Sequence, residues 1–175
     1  TISHLGYIKR TPVTEYRTQS RGGRGARGSR IREADFIEHM FVASNHNYLL
    51  LFTEMGKCHW VRVYEIPEAT KTSSGRVIQN ILSLPKEDKV RAYIIIKDLT
   101  DEEFLDSHYI MFGTRQGMVK KTSVEAYSRP RVGGINAITI NEGDQLLEAR
   151  LTTGDSEVFI GTRSGNAIRF NEAAV

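Results

Sequence analysis

Arginines alternate with glycines in one short stretch of the sequence, Gln19-Ser20-Arg21-Gly22-Gly23-Arg24-Gly25-Ala26-Arg27-Gly28. That spacing suits the binding of phosphate. Glycine has no Cβ and reaches positive φ without strain, so backbone amides can come close to an oxyanion. The guanidinium fork offers paired donors to the same group. No constellation for reading base edges accompanies the arginines, so the chemistry is backbone contact rather than sequence readout. Gly23-x-Gly25-x-x-Gly28 also matches the dinucleotide fingerprint, but that motif belongs after an apolar strand in a βαβ unit. Here Tyr16-Arg17-Thr18-Gln19-Ser20-Arg21 precedes it, and the chain reads as all-β. Arg-Gly tails bind RNA, yet they are usually longer and lie outside a fold, whereas this stretch occupies a loop within a repeated unit.

Other reactive residue types are not grouped for chemistry. The five histidines (His4, His39, His46, His59, His108) and the single cysteine, Cys58, lack metal-ligand spacing. Cys58 and His59 are neighbours on a strand and so point to opposite faces. Asp106-Ser107-His108 holds the residue types of a hydrolytic triad, but a triad must converge in space, and these read as a turn. The expectation is a binding module with no catalytic residue, no metal and no cofactor of its own.

The elements that must position the arginines repeat along the chain. An apolar strand, a glycine turn and a second strand with basic residues recur as Ser3-His4-Leu5-Gly6-Tyr7-Ile8-Lys9-Arg10 and Phe52-Thr53-Glu54-Met55-Gly56-Lys57-Cys58-His59-Trp60-Val61. They return as Phe112-Gly113-Thr114-Arg115-Gln116-Gly117-Met118-Val119-Lys120-Lys121 and Ile160-Gly161-Thr162-Arg163-Ser164-Gly165-Asn166-Ala167-Ile168-Arg169. After each of the first three comes a Val-and-Glu segment (Val13-Thr14-Glu15, Val63-Tyr64-Glu65, Val124-Glu125) and then a basic, glycine-containing loop. An isoleucine-bearing strand follows, around Ile31, around Ile78 and Ile81, and at Ile135, Ile138 and Ile140. The unit closes on Met40-Phe41-Val42-Ala43, Tyr93-Ile94-Ile95-Ile96 or Leu146-Leu147-Glu148-Ala149.

Four short strands per unit of about fifty residues describe a propeller blade. The expected units are 1–48, 49–106, 107–155 and a partial 156–175. Short helical turns are expected at 33–38 and 101–106, and an acidic, solvated insertion at 97–108. The hairpin at 158–170 is too small to bury its apolar residues alone, so it is expected to pack on the third unit and complete that blade.

Length and charge agree with a binding module. The 175 residues contain no apolar run long enough to cross a membrane as a helix. The chain begins at Thr1 rather than Met and reads as part of a longer protein, and one cysteine fits a reducing, cytosolic setting. Residues 1–32 hold eight basic side chains and one acid, while the rest hold 16 basic and 20 acidic ones. A basic entry on a mildly acidic body points to a polyanionic partner at one localised site.

Taken together, the repeat and the glycine–arginine loop resemble the C-terminal domain of the DNA gyrase A subunit. Gln19-Ser20-Arg21-Gly22-Gly23-Arg24-Gly25 is similar to that family's box, Gln-(Arg/Lys)-Arg-Gly-Gly-(Arg/Lys)-Gly, with Ser20 in place of a basic residue. Gly6-Tyr7-Ile8-Lys9-Arg10, Glu15-Tyr16, Glu33-Ala34-Asp35-Phe36, Val63-Tyr64-Glu65-Ile66-Pro67-Glu68-Ala69 and Gly117-Met118-Val119-Lys120-Lys121-Thr122 extend the likeness over the whole chain. The resemblance implies a β-pinwheel, a propeller-like ring whose blades exchange strands, here an incomplete open ring of three blades and part of a fourth. It further implies non-sequence-specific, chiral wrapping of duplex DNA in support of negative supercoiling by an ATP-dependent type II topoisomerase, in the bacterial cytoplasm at the nucleoid. The partners would be duplex DNA, the rest of gyrase A and the gyrase B subunit, with the DNA-cleaving tyrosine lying upstream of this chain. Arg21 and Arg24 would clamp phosphates. The wrapping track would run through Lys9, Arg10, Arg27, Arg30, Lys57, Arg62, Lys71, Arg76, Lys120, Lys121, Arg129, Arg131, Arg163 and Arg169. The similar domain of the topoisomerase IV A subunit, which lacks an intact box, and a propeller-type protein- or RNA-interaction module are the alternatives.

Overall fold

A computed structural model describes residues 1–16, 20–25, 34–82 and 84–175. Runs of β-branched and aromatic residues between glycine turns become short strands. In chain order these are β1 (Ile2–Ser3), β2 (Tyr7–Ile8), β3 (Ile37–His39), β4 (Tyr48–Thr53), β5 (Lys57–Arg62), β6 (Arg76–Val77) and β7 (Val90–Ile96). They continue as β8 (Tyr109–Thr114), β9 (Val119–Ser123), β10 (Ile135–Asn136), β11 (Leu146–Thr152), β12 (Glu157–Gly161) and β13 (Ala167–Asn171). Two short helices, α1 (Ile78–Leu82) and α2 (Glu102–Ser107), lie among them. The Val-and-Glu segments are single 3₁₀ turns at Val13–Glu15, Val63–Glu65 and Val124–Tyr127, and Glu172–Ala174 repeats the turn after β13.

The chain divides into two compact units, Thr1–Tyr48 with Val61–Asp88, and Leu49–Trp60 with Lys89–Val175. The first unit holds one antiparallel sheet in the order β3-β1-β2-β6. Ile2, Ile8, Val63, Ile66 and Ile78 are buried in it. The second unit holds the sheets β10-β5-β4-β7, β11-β8-β9 and β12-β13. Leu49, Leu50, Leu51 and Phe52 are all buried. Successive strand residues face opposite sides, so β4 is covered on both faces. Phe52 meets Phe112 and Tyr127 edge-on, with ring centroids 5.2 and 5.7 Å apart.

Neither four-stranded sheet is completed by its own repeat. β6, from the second repeat, pairs with β2 of the first through Tyr7–Val77 and Ile8–Arg76. β10, from the third repeat, pairs with β5 of the second through Cys58–Ile135 and Lys57–Asn136. The donated strand also closes the hairpin turn that it reaches. Ile78 N–H donates to the Gly6 carbonyl (2.9 Å), and Ala137 and Ile138 N–H donate to the Gly56 carbonyl (2.8 and 3.1 Å). A glycine of positive φ leads each donated strand, Gly75 at 81° and Gly134 at 71°. The glycine is demanded by space as well as by φ. A Cβ on Gly75 would run into the Ile8 carbonyl, and one on Gly134 would lie 2.8 Å from the Cys58 carbonyl oxygen and 2.7 Å from the His59 ring.

Three local expectations need correction. The helical turn expected at 33–38 (Glu33 lies outside the described residues) contains β3 instead. Ala34 takes a φ of 67°, and the Asp35 carboxylate accepts the amides of Leu5 (3.0 Å) and Phe36 (2.9 Å), which turns the chain out of a helix and onto β1. Met40, Phe41 and Val42 follow that strand as exposed, irregular chain rather than forming it. The isoleucine strand of the second repeat is only Arg76–Val77, because Ile78 opens α1.

The last hairpin also behaves differently from expectation. It does not complete the third sheet, which ends at β9, and β12 and β13 form a sheet of their own. Phe159 and Ile168 are 71% and 58% exposed. The reason is visible in the earlier repeats, where the strand that closes a blade is the short glycine-led segment and not the next hairpin. The hairpin is tied to the third repeat at its base by Glu172. This fully buried carboxylate accepts the Thr152 hydroxyl (2.6 Å) and the Ser156 amide (2.6 Å), and its carbonyl accepts Lys121 Nζ (2.7 Å). Glu172 stands seven residues after its turn glycine, the place taken by buried Val63 and Val124.

Replacing Gly134 by Ala should cost clearly more than replacing Gly165 by Ala. Both have positive φ, but a Cβ at Gly165 meets nothing. Gly165→Ala should cost about 1–2 kcal/mol from backbone strain alone, and Gly134→Ala should add the loss of the β10 pairing. Equal losses in thermal or urea unfolding would remove strand exchange as the reason for Gly134.

Glu172 sets an acid limit. Burial opposes its ionised form, but the hydrogen bonds from Thr152 and Ser156 outweigh this and hold its pKa below the usual glutamate range. A depressed folded pKa contributes stability above the unfolded value of about 4.3, and that stability is lost as pH falls through the folded value. Melting temperatures measured downward from about pH 5 should therefore fall more steeply for the parent than for Glu172→Gln. Superimposable acid profiles would show that this carboxylate does not anchor the hairpin.

Candidate nucleic-acid interface

Of the glycine–arginine stretch, Ser20 to Gly25 is described, while Gln19, Arg27 and Arg30 lie outside the described residues. Gly23 N–H donates to the Ser20 carbonyl (3.1 Å), closing a turn with Arg21 and Gly22 at its centre. Gly22 takes a φ of 77°, the conformation that the third residue of a type II turn requires. Among the described residues, no atom lies within 4 Å of where a Cβ would stand on Gly22 or Gly25. At Gly25 the φ is not positive, so neither its conformation nor crowding by the described residues calls for glycine. Arg21 and Arg24 are exposed and make no ion pair among the described residues.

The expected track separates into cations already engaged by the protein and cations that face solvent. Lys9 is a correction. It is 3% exposed, and its ammonium donates to the carbonyls of Thr70 (3.0 Å), Lys71 (2.8 Å) and Ser73 (2.9 Å). Burial lowers its pKa, with Glu15 partly opposing the shift. Such a lysine shapes a loop and has no donor left for a phosphate. Arg10 pairs with Glu68 (2.8 Å) and donates to the Ile66 carbonyl. Arg62 donates to the His46 carbonyl (2.6 Å) and lies over the Tyr48 ring, 3.6 Å from its centroid. Lys71 donates to the Glu15 carbonyl, Lys120 to that of Ala137 (2.6 Å), and Lys121 to that of Glu172; Arg169 pairs with Glu157 (2.9 Å).

Within the first unit, Arg76 joins Arg21 and Arg24 as exposed cations with no ion-pair partner among the described residues. Within the second unit the same holds for Lys57, Arg129, Arg131 and Arg163. Arg115 belongs with them, although the sequence patterns above do not single it out. It precedes Gly117 by two residues as Arg163 precedes Gly165, so alignment on the turn glycine carries the signal. Lys9 and buried His59 likewise share the third place after the glycine, a sign that this position faces inward in the first two repeats.

In the second and third repeats the basic loop lies between the 3₁₀ turn and the strand that closes a sheet, while the strand expected around Ile31 in the first repeat lies outside the described residues. The loops at 70–75 and 128–134 therefore correspond in sequence position to 20–25. Their charge differs: Lys71 alone in one, Arg129 and Arg131 in another, Arg21 and Arg24 in the first.

Comparison with known proteins places these features. The chain matches the family described as DNA gyrase C-terminal domain, beta-propeller, over residues 1–44, 47–105, 108–153 and 156–175. It is 44% identical over 172 residues to the DNA gyrase A subunit of Neisseria gonorrhoeae, covering 98% of this chain and 18% of that protein. It is 43% identical over 175 residues to the DNA gyrase A subunit of Halalkalibacterium halodurans, covering 100% of this chain and 20% of that protein. The chain thus spans about a fifth of the length of these relatives. Among solved structures, a C-terminal domain of DNA topoisomerase IV superposes with a TM-score of 0.81 at 30% identity, over 99% of this chain and 51% of that one. A DNA gyrase A C-terminal domain superposes with a TM-score of 0.69 at 23% identity, over 99% and 54%, and shares the fold. With the family matched in four successive repeats along nearly its whole length, the chain belongs to the DNA gyrase A C-terminal domain family.

Proposed function

We propose that the chain binds duplex DNA without regard to sequence and wraps it in one chiral sense, as the DNA-wrapping part of a type II topoisomerase that introduces negative supercoils. The observation that carries this reading is the Ser20–Gly25 loop. Arg21 and Arg24, with no ion-pair partner among the described residues, stand next to Gly22 and Gly25, where no described atom lies within 4 Å of a Cβ position, and the φ of Gly25 does not require glycine. A phosphate backbone supplies both the charge and the close approach. Bending a site of 20–30 base pairs costs on the order of 1–6 kcal/mol, which several phosphate contacts must offset. In the full-length protein the chain acts beside the rest of gyrase A and the gyrase B subunit, in the bacterial cytoplasm at the nucleoid. Cleavage, strand passage and ATP use belong to those parts, and this chain contributes binding and curvature without a cofactor.

A topoisomerase IV role is the second reading, supported by the likeness to that enzyme's C-terminal domain. The near-intact box favours gyrase. Plasmid relaxation in the presence of the chain distinguishes them: trapped supercoils of one sign support the gyrase role, and binding without trapping supports the other.

Affinity for a short duplex should fall about a thousandfold between 50 and 200 mM salt if some six phosphates are contacted, and it should vary little with sequence. A flat salt response, or preference for RNA or for one DNA site, would overturn the proposal. Arg21→Ala with Arg24→Ala should leave melting unchanged and reduce supercoil trapping more than binding. Gly25→Ala should shift stability by no more than about 0.5 kcal/mol yet weaken wrapping, since its Cβ would enter space that the described residues leave open to a phosphate backbone. Wild-type trapping by Gly25→Ala would show that no backbone comes close there.

A further inference from the structure

The loop Thr70-Lys71-Thr72-Ser73-Ser74-Gly75 has no glycine–arginine pattern, yet its backbone is shaped from beneath. Lys9 Nζ holds the carbonyls of Thr70, Lys71 and Ser73 within 3.0 Å. In a trans peptide the C=O and N–H of one unit point in opposite directions. Three carbonyls turned toward one ammonium therefore turn the amides of Lys71, Thr72 and Ser74 away from it, toward the exposed side of the loop. The first of these already holds an anion, because Lys71 N–H donates to Glu15 Oε2 at 3.4 Å. Lys71 Nζ reaches the Glu15 carbonyl and lies 4.3 Å from the centre of the Tyr16 ring. The amides of Thr72 and Ser74 have no acceptor among the described residues, and both residues are exposed. Lys9 has no carboxylate at ion-pair distance among the described residues, and the charge that acts on it is that of Glu15, the same carboxylate that accepts the Lys71 amide.

We propose that loop 70–75 is a phosphate-binding site built from outward amides and Lys71, and that the Glu15 carboxylate lodges there as an internal competitor which a phosphate displaces. The second repeat thereby achieves with oriented amides what the first offers with arginines. Lys9 is the positioning residue, acting through the carbonyls it gathers. Glu15 is exposed, so on displacement its carboxylate passes to water at little cost. The site rests on the duplex-DNA reading only for the source of its phosphate.

The test follows backbone amide signals of the isotope-labelled chain during titration with inorganic phosphate and, separately, with a short DNA duplex. Lys71, Thr72 and Ser74 amides should move in both titrations. Glu15→Ala should tighten duplex binding about fivefold at low salt, since one repelling charge and one competing acceptor are removed. Glu15→Gln should fall between, because its amide oxygen still accepts from Lys71 without the charge. Lys9→Met should abolish the loop response while amide signals of β1, β2 and β6, in the same unit, keep their dispersion, which separates loss of the site from loss of the fold. Loop amides that stay still in both titrations, or an affinity unchanged by Glu15→Ala, would overturn the site. A response to phosphate but not to duplex, in a chain that still binds DNA, overturns the backbone as the source. A response to phosphate in a chain that binds no duplex at all supports the site and defeats the wrapping proposal.

Discussion

The amide of Ile78 on the carbonyl of Gly6, and those of Ala137 and Ile138 on Gly56, fix the plan of both four-stranded sheets. A donated strand of two residues must arrive antiparallel and tight against an edge, so glycine precedes it at Gly75 and Gly134. The loop before that glycine must then cross the edge of the preceding hairpin. In the first repeat's sheet the crossing loop is bound from below by Lys9, and in the second repeat's sheet Gly134 passes against the His59 ring. Basic side chains on these crossing loops are thus held out by the same pairing that closes the sheet.

Counting charges along the chain overstates how many are available. Lys9, Arg10, Arg62, Lys71, Lys120 and Lys121 all donate to backbone carbonyls. A lysine satisfied by three carbonyls is indistinguishable in sequence from one facing solvent, because the carbonyls of Thr70 to Ser73 lie some sixty residues away. Only the register with His59 hints that the third place after the turn glycine points inward. Of the exposed cations with no ion-pair partner among the described residues, Arg21, Arg24, Arg115, Arg129, Arg131 and Arg163 stand at turns and crossing loops, and Lys57 and Arg76 open strands.

What the sequence made legible was local and periodic. The hairpins, their turn glycines, the Val-and-Glu turns and the glycine–arginine loop each repeat or stand out by composition, and α2 begins with Asp101 capping the Phe104 amide (3.1 Å). Less visible was anything decided by a distant partner. β3 is a strand because Asp35 turns the chain onto β1, and α1 begins where Ile78 leaves the edge of β2. The fate of the last hairpin turned on recognising that blades close by the glycine-led segment. Glu172 in the position of a core valine was a signal in plain sight, and its meaning appeared only with Thr152 and Ser156 around it.

Strand donation also orders events in time. During synthesis at roughly 5–20 residues per second, Tyr7 and Ile8 emerge several seconds before Arg76 and Val77 arrive to pair with them. Each nascent blade therefore spends that interval with one unsatisfied edge, the feature that invites pairing with a neighbouring chain. Charged side chains on an edge discourage such pairing, and β2 runs directly into Lys9 and Arg10, while β9 carries Lys120 and Lys121. Lys9 therefore has two successive occupations on one molecule. It guards an open edge on the ribosome, and it disappears beneath loop 70–73 once the next repeat has been made.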